Sequence, residues 1–266
     1  MGFTLIKGAF HLDAGDPDGD SVRFKADDDR QFESLRGRRV EFKTDGTVQL
    51  RYEGIDTIEK AAIQPLAMES RDKNFEFLRE SDDALSSTPR GFILTRQTDV
   101  NRRPVSFAFS GEIAQPDGAD LFLDGPLIKR SVNYKMVESG FAYTMFYETL
   151  FMEIRSELAA AFVAARVAKR VLHQNDATLI GVEIKDRSDL AIILPIFPKL
   201  WRRLEEYFRN HSNLADFIKW LAARDPEKLS TLSDQRTAIS FDNVVEVQGN
   251  TIRLLYGAED MVFRPS

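Results

Sequence analysis

Hydrophobic and polar residues alternate in short runs through the first part of the chain, and this alternation predicts β-strands. The runs cover residues 3–12, 21–26, 40–43, 47–52, 91–95 and 105–109. An Asp45-Gly46 pair between two of the runs predicts a tight hairpin turn. A meander of short strands separated by turns is typical of a small barrel.

Apolar residues at helical spacing predict helices between and after these strands. The predicted helices cover residues 65–78, 131–139, 147–172, 199–209 and 213–223. Pro65 suits a first helical turn, Gly140 suits a helix end, and Asp225-Pro226 ends the last helix. The aromatic residues of the last two helices recur at helical spacing, so we expect them in the core: Trp201, Tyr207, Phe208, Phe217 and Trp220.

The pattern changes near residue 175, where we predict a domain boundary. Beyond it, residues 178–184 predict a strand, and residues 244–247 and 251–255 predict a hairpin. The predicted fold class is therefore α+β. Residues 1–175 form a barrel with packed helices, and residues 176–266 form a smaller α/β extension.

Composition narrows the chemistry that is open to the chain. Its 266 residues include no cysteine, which excludes disulfides and thiolate metal sites. His11, His173 and His211 are widely scattered, which argues against a histidine-rich zinc centre. Oxygen ligands remain, and these favour calcium or magnesium.

Charge and hydropathy indicate where the protein acts. The net charge of −6 does not attract nucleic acid as a whole, so such binding needs a local basic patch or a bound cation. No apolar run is long enough to span a membrane, and the first residues do not form a signal peptide. We therefore expect a cytoplasmic protein with no membrane partner.

The stretch Q-L-R-Y-E-G-I-D-T-I-E at residues 49–59 concentrates the candidate chemistry. Strand alternation places Arg51 and Glu53 on one side, and Gly54 then breaks the strand into a loop. That loop carries Asp56 and Glu59. Carboxylates bind a hard divalent cation, an arginine fork matches two phosphate oxygens, and a further carboxylate takes a proton from water. Together these groups form the parts of a metal-dependent phosphodiesterase site.

Each part by itself has a simpler explanation. The D-G-D sequence at residues 18–20 occurs in ordinary turns, and Asp56 with Glu59 is also the pattern of a helix cap. The hypothesis therefore requires Asp20 to reach the stretch at residues 49–59, which a meander allows if the two strands are neighbours.

These motifs resemble the staphylococcal-nuclease-like (thermonuclease) family. D-G-D-S-V at residues 18–22, followed by L-R-Y-E-G-I-D-T-I-E at residues 50–59, is similar to the two acidic elements of that family. T-D-V-N-R-R at residues 98–103 resembles its turn with a second phosphate-binding arginine. The resemblance covers about residues 5–172. It implies an OB-type five-stranded β-barrel and calcium-dependent hydrolysis of DNA and/or RNA, leaving 3′-phosphate ends.

The resemblance also implies a metal site. Asp20 and Asp56 would bind Ca²⁺ through their carboxylates, and Thr57 would bind it through its backbone carbonyl. Glu59 would be the general base or would orient the attacking water. Ile58 stands where the family has a proline, so the loop lacks that restraint on its backbone.

Arg51 and Arg103 would hold the phosphate and stabilise the transition state. Because Pro104 follows where a glycine is common, Arg102 stays open as the alternative to Arg103.

Two other functions stay open. A non-catalytic OB-type module would use the same fold to bind nucleic acid or protein. The extension at residues 176–266 would serve as a homo-oligomer contact or a regulatory contact, and we expect its Arg202 and Arg203 to cover a helix surface.

Overall fold

A computed structural model describes residues 2–60, 62, 64–224, 227–234 and 237–264 and has a mixed α+β fold. The strands of its first part are β1 (Phe3–His11), β2 (Arg23–Ala26), β3 (Val48–Gln49), β4 (Arg51–Tyr52), β5 (Gly54–Asp56), β6 (Arg90–Thr98), β7 (Pro104–Ser110), β8 (Asp120–Leu121) and β9 (Tyr143–Tyr147). The later strands are β10 (Val182–Glu183), β11 (Lys228–Thr231), β12 (Ile239–Ser240), β13 (Val245–Gln248), β14 (Thr251–Leu254) and β15 (Met261–Phe263). The α-helices are α1 (Leu66–Leu78), α2 (Gly125–Ile128), α3 (Val132–Glu138), α4 (Met152–Val167), α5 (Pro198–Tyr207) and α6 (Phe217–Arg224).

The principal sheet curves into a nearly closed barrel. Its strands follow the order β3-β2-β1-β6-β7-β4, and β3 and β4 are consecutive pieces of one segment. β3 pairs antiparallel with β2, whereas β4 pairs in parallel with β7. Because the two strands at the ends of this order, β3 and β4, belong to one segment, the sheet almost closes on itself. Its inward-facing side chains lie in the core.

Aromatic side chains fill the barrel interior. The rings of Phe92 and Phe109 stack with their centres 4.6 Å apart, and those of Phe10 and Phe24 lie 5.1 Å apart. All four side chains are buried. Burial of this apolar surface is the main contribution to the stability of the barrel.

Gly54 turns the chain from the barrel toward a second sheet. Its φ of +81° favours glycine, and an added Cβ would lie 2.7 Å from Leu158 of α4. β5 follows directly and pairs antiparallel with β9. The prediction that Asp56 lies in a loop is therefore wrong, because this residue ends a short strand. β9 in turn pairs in parallel with β15.

The second sheet contains strands from both sides of the predicted boundary at residue 175. Its order is β12-β11-β15-β9-β5. The extension therefore contributes strands to the same sheet as the strand that carries Asp56, with β9 lying between β15 and β5. The division at residue 175 itself stays a prediction. A further sheet, β10-β14-β13, contains the predicted hairpin, which is confirmed.

Helix α3 joins the barrel to the site-bearing strands. The buried Asn133 side chain donates to the carbonyl groups of Glu53 at 2.9 Å and Ser106 at 3.0 Å, and accepts from the amide of Ala108 at 3.0 Å. These bonds satisfy backbone groups where the chain leaves β4.

Several predicted elements are confirmed and others are wrong. The turn at Asp45-Gly46 is present, but the predicted strand at residues 40–43 is only a bridge between Phe42 and Val48. Of the strand at residues 178–184, only β10 forms, and residues 143–147 form β9 ahead of α4.

The C-terminal helices also follow the predictions in part. The aromatic residues of α5 and α6 are buried or partly buried, as predicted. α6 begins at Phe217 rather than at residue 213, and Asp225-Pro226 lies outside the described residues. None of the helices in the described ranges is long and apolar enough to cross a membrane.

Candidate functional site

The turn at residues 18–20 is held against the strand that carries Arg51. The carbonyl of Asp20 accepts from the amide of Tyr52 at 2.9 Å, so the turn lies beside β4. A Cβ added at Gly19 would meet the side chains of Ser70 at 2.6 Å and Thr57 at 2.8 Å. Glycine therefore permits a close approach of this turn to the residue after Asp56.

Helix α1 fixes the same turn from the other side. Buried Asn74 donates from Nδ2 to the carbonyl of Asp18 at 2.9 Å and accepts at Oδ1 from the hydroxyl of Tyr52 at 2.9 Å. One amide thus links the turn, the helix and β4.

Asp20 and Asp56 lie close enough to interact electrostatically. Burial raises the pKa of Asp20 well above its usual value, and the carboxylates of Asp18 and Asp56 raise it further, while Arg51 lowers it. Asp56, at the end of β5, is 6% exposed. The structure therefore brings together the two carboxylates that the sequence analysis assigned to a cation.

Arg51 joins this pair of carboxylates. Its guanidinium lies 5.4 Å from the centre of the Tyr147 ring, and its Nη1 lies 4.0 Å from Oδ2 of Asp99. Burial acts to lower the pKa of Arg51, but Tyr147, Asp56 and Asp20 outweigh it and raise the pKa. Arg51 therefore stays positively charged beside both acidic residues.

Arg103, rather than Arg102, is linked to Arg51. The Nε of Arg103 donates to Oδ2 of Asp99 at 2.8 Å, which is the oxygen that Arg51 approaches. The side chain of Arg102 is paired instead with Glu41. Asp99 was not predicted as the common partner of Arg51 and Arg103, although it follows the strand at β6 directly and lies four residues before Arg103 in the sequence.

Glu59 and Asp56 share a partner that the sequence analysis placed elsewhere. Arg202 of α5 donates from Nη1 to Glu59 at 2.6 Å and to Oδ1 of Asp56 at 3.0 Å, and from Nη2 to Oδ2 of Asp56 at 2.7 Å. The expectation that Arg202 covers a helix surface is therefore wrong. No local pattern indicates this contact, which joins residues 146 positions apart.

Two concave surfaces lie beside Arg51, Asp99 and Arg103. A cleft of about 350 Å³ includes Arg51, Asp99 and Tyr147 in its wall. A more open groove of about 630 Å³ has basic residues in its wall together with Asp16 and Glu41; the basic residues are Arg23, Lys43, Arg102 and Arg103. Arg51 and Arg103 thus face two neighbouring surfaces, with Asp99 between them.

The carboxylates present limit the type of metal site. Within the described ranges, no group of three or more His, Cys, Asp or Glu side chains is arranged to hold a metal ion. A cation at Asp20 and Asp56 would therefore complete its shell with backbone carbonyls and water, as calcium does more readily than zinc.

The chain matches no family model and no curated protein.

Proposed function

We propose that the protein is a metal-dependent phosphodiesterase, specifically a calcium-dependent nuclease that hydrolyses DNA and/or RNA and leaves 3′-phosphate ends. The observation that carries the proposal is the convergence of Asp20 with Arg51 and Asp56, because the turn at residues 18–20 lies against β4 and beside Thr57. Carboxylates that can hold a cation and an arginine that can hold a phosphate are the groups that phosphodiester cleavage requires.

The barrel topology supports the same proposal. With β3 and β4 counted as one strand, the barrel has five strands, and their antiparallel pairings are broken by one parallel pairing, that of β4 with β7. This arrangement is compatible with an OB-type barrel, a fold that binds nucleic acids across its open face. The thermonuclease-like resemblance of residues 5–172 predicts the same fold.

The oxygen atoms that Asp20, Asp56 and Thr57 offer are of the type that calcium binds. Asp20 and Asp56 supply anionic oxygen, and the backbone carbonyl of Thr57 would supply neutral oxygen. When bound, calcium would add positive charge that stabilises a phosphate and its transition state. Burial raises the pKa of Asp20, the carboxylates of Asp18 and Asp56 raise it further, and a bound cation would offset the repulsion between these carboxylates.

The other residues then have separate roles. Arg51 approaches Asp99 no closer than 4.0 Å, which is beyond hydrogen-bond distance, and it also interacts with Tyr147. An arginine has five N–H donors, so its fork has further donors for phosphate oxygens. Arg103 would contact the phosphate from the neighbouring groove. Glu59, which is half-buried at the edge of the site, would take a proton from the attacking water.

The experiment is incubation of the protein with end-labelled single-stranded DNA and RNA, in calcium and then in excess chelator. Cleavage that depends on calcium and leaves 3′-phosphate ends would support the proposal. Arg51→Ala and Glu59→Ala should each lower the rate of cleavage by several orders of magnitude. This corresponds to the loss of about 3–6 kcal/mol of transition-state stabilisation. Absence of cleavage, together with calorimetry that detects no calcium binding, would exclude the nuclease.

A second function is supported by one observation. Arg202 pairs with both Asp56 and Glu59, so neither carboxylate is free for hydrolysis in this arrangement, which favours an OB-type module that binds nucleic acid or protein without cleaving it. The basic groove beside Arg103 would then contact the phosphate backbone. Salt-dependent binding of single-stranded DNA without cleavage under any metal condition would favour this module.

A further inference from the structure

Arg202 binds the carboxylate that a divalent cation would require. Its two terminal nitrogens contact both oxygens of Asp56, at 3.0 and 2.7 Å, in a bidentate pair. The same Nη1 also reaches Glu59 at 2.6 Å. One guanidinium therefore neutralises the proposed ligand and the proposed base at once.

The fold presents this guanidinium at a defined position. The side chains of Leu200 and Leu204, on either side of Arg202 in α5, are fully buried. The adjacent Trp201 is also buried, and its indole donates to the carbonyl of Leu190 at 3.0 Å. Because α5 is anchored on these side chains, Arg202 reaches Asp56 from a rigid support rather than from a loose segment.

The Arg202 guanidinium has space to move away from Asp56 toward solvent. The Arg202 side chain is 35% exposed, whereas that of Asp56 is 9% exposed. Rotation of the long arginine side chain toward solvent would uncover the carboxylate without movement of α5 or β5.

A guanidinium and a calcium ion cannot both bind the two oxygens of Asp56 in a bidentate manner, because each would use the same pair of oxygens. Calcium binds carboxylate oxygens at about 2.3–2.6 Å, which is shorter than these hydrogen bonds, and the two cations would repel each other at that separation. Binding of either one must therefore oppose binding of the other, by the reciprocity of linked equilibria.

We propose that Arg202 is a tethered competitor of the divalent cation, so that the C-terminal extension sets the calcium concentration at which the site becomes active. The inference depends on the proposed calcium site at Asp20 and Asp56. It assigns a regulatory role to residues 176–266, in which α5 holds the site in a closed, metal-free state and calcium opens it by displacing one side chain. Any partner that draws α5 away from β5 would lower the calcium requirement.

The test measures calcium binding directly, without substrate. Isothermal calorimetry with calcium chloride compares the full-length protein with Arg202→Met, which keeps much of the length of the side chain but removes its charge. Arg209→Met is the matched control, because Arg209 forms a surface pair with Glu205 just beyond the same helix. We expect Arg202→Met to bind calcium at least about tenfold more tightly than the unaltered protein. A tenfold difference is expected if Arg202 occupies Asp56 about nine-tenths of the time, because calcium then binds only the remaining tenth of the molecules. Arg209→Met should bind calcium as the unaltered protein does.

A thermal measurement provides a second readout that does not depend on activity. Without calcium, Arg202→Met removes the cation that pairs with Asp56 and Glu59, so its melting temperature should fall. Saturating calcium should therefore raise the melting temperature of Arg202→Met by more than that of the unaltered protein. If Arg202→Met does not fold, Arg202→Lys keeps the charge but loses the planar fork, and it should bind calcium with intermediate affinity.

The outcomes separate the two proposals. Equal calcium affinity in the unaltered protein and Arg202→Met, with calcium-dependent cleavage in both, would overturn the competitor and leave the nuclease standing. No calcium binding in either protein would overturn the calcium site, and the competitor with it. Calcium-dependent cleavage by the unaltered protein, with calcium binding to both proteins that is at least about tenfold tighter in Arg202→Met, would support both proposals.

Discussion

Arg103 is bound to Asp99 through both its backbone and its side chain. Its amide donates to Oδ1 at 2.9 Å, and its Nε donates to Oδ2 at 2.8 Å. The Asp99 carboxylate is almost fully buried, and Arg51 approaches it to 4.0 Å. Asp99 is therefore placed to hold two arginines that come from different segments at a fixed separation.

Removal of the Asp99 charge should disturb this separation. Asp99→Asn keeps an oxygen for the turn amides but no longer attracts either guanidinium. We expect kcat/KM on single-stranded DNA to fall by about 100-fold, because small displacements of positioning groups have effects of that size. Calcium affinity measured by calorimetry should not change, since Asp99 is not a proposed ligand. A variant with an unaltered rate would show that Asp99 has no positioning role.

The two neighbouring arginines should differ in importance. Arg103→Ala should lower kcat by about 10²–10³-fold, as removal of one transition-state donor does. Arg102→Ala should leave kcat close to that of the unaltered protein, because this side chain pairs with Glu41 at the surface. Steady-state assays of both variants on one substrate provide the comparison. A larger loss in Arg102→Ala would assign the phosphate contact to Arg102 instead.

Asn74 should be important for stability. Asn74→Ala removes the bonds to the Tyr52 hydroxyl and the Asp18 carbonyl and leaves the buried hydroxyl without this acceptor. We expect the free energy of unfolding to fall by about 2–3 kcal/mol, measured by urea denaturation. Asn101→Ala, in an exposed turn, is the control and should change it by less than about 0.5 kcal/mol. Similar losses in both variants would contradict a structural role for the Asn74 amide.

His173 should make the protein sensitive to acid. Its side chain is buried, its ring lies 4.7 Å from that of Phe162, and within the described ranges neither ring nitrogen has a hydrogen-bond partner. Burial, with a smaller contribution from Arg166, lowers the pKa of His173 to about 4. The unfolded chain therefore binds a proton more readily, so stability is present above pH 6.5 and is lost as pH falls toward 4.

The measurement compares unfolding free energies at about pH 7 and about pH 4.5 for the unaltered protein and His173→Leu. The unaltered protein should lose about 2 kcal/mol more than the variant over this interval. The comparison isolates His173 because Asp176, whose carboxylate lies 4.0 Å from Nδ1, is present in both proteins. Parallel losses would show that His173 does not titrate in this range.

Short sequence patterns predicted the elements whose conformation depends mainly on neighbouring residues. Pro65 and the apolar spacing after it predicted α1, and the runs at residues 244–247 and 251–255 predicted the C-terminal hairpin. β9 was missed because its run is nearly all buried and lacks alternation, so it was indistinguishable by periodicity from the start of a helix. Its direction and neighbours depend on β5 and β15, which are distant in the chain.

The candidate site divides in the same way. Asp20, Arg51, Asp56 and Glu59 were named from their spacing and from a family resemblance, and the junction of the barrel with the second sheet brings the first three close together. Asp99 was within the motif at residues 98–103 but was not distinguished from its neighbours. Arg202 could not have been chosen, because other arginines in α5 and its surroundings share the same local pattern and pair with nearby acids.

The sequence by itself determined the residue types at the site, the glycine at position 54 and the absence of any thiolate ligand. These properties follow from composition and from backbone conformations that only certain side chains permit. Only the tertiary structure decided which charges meet. Arg202 contacts Asp56 across a separation of 146 positions because the fold brings α5 beside β5, and such a contact depends on the whole core rather than on any segment of it.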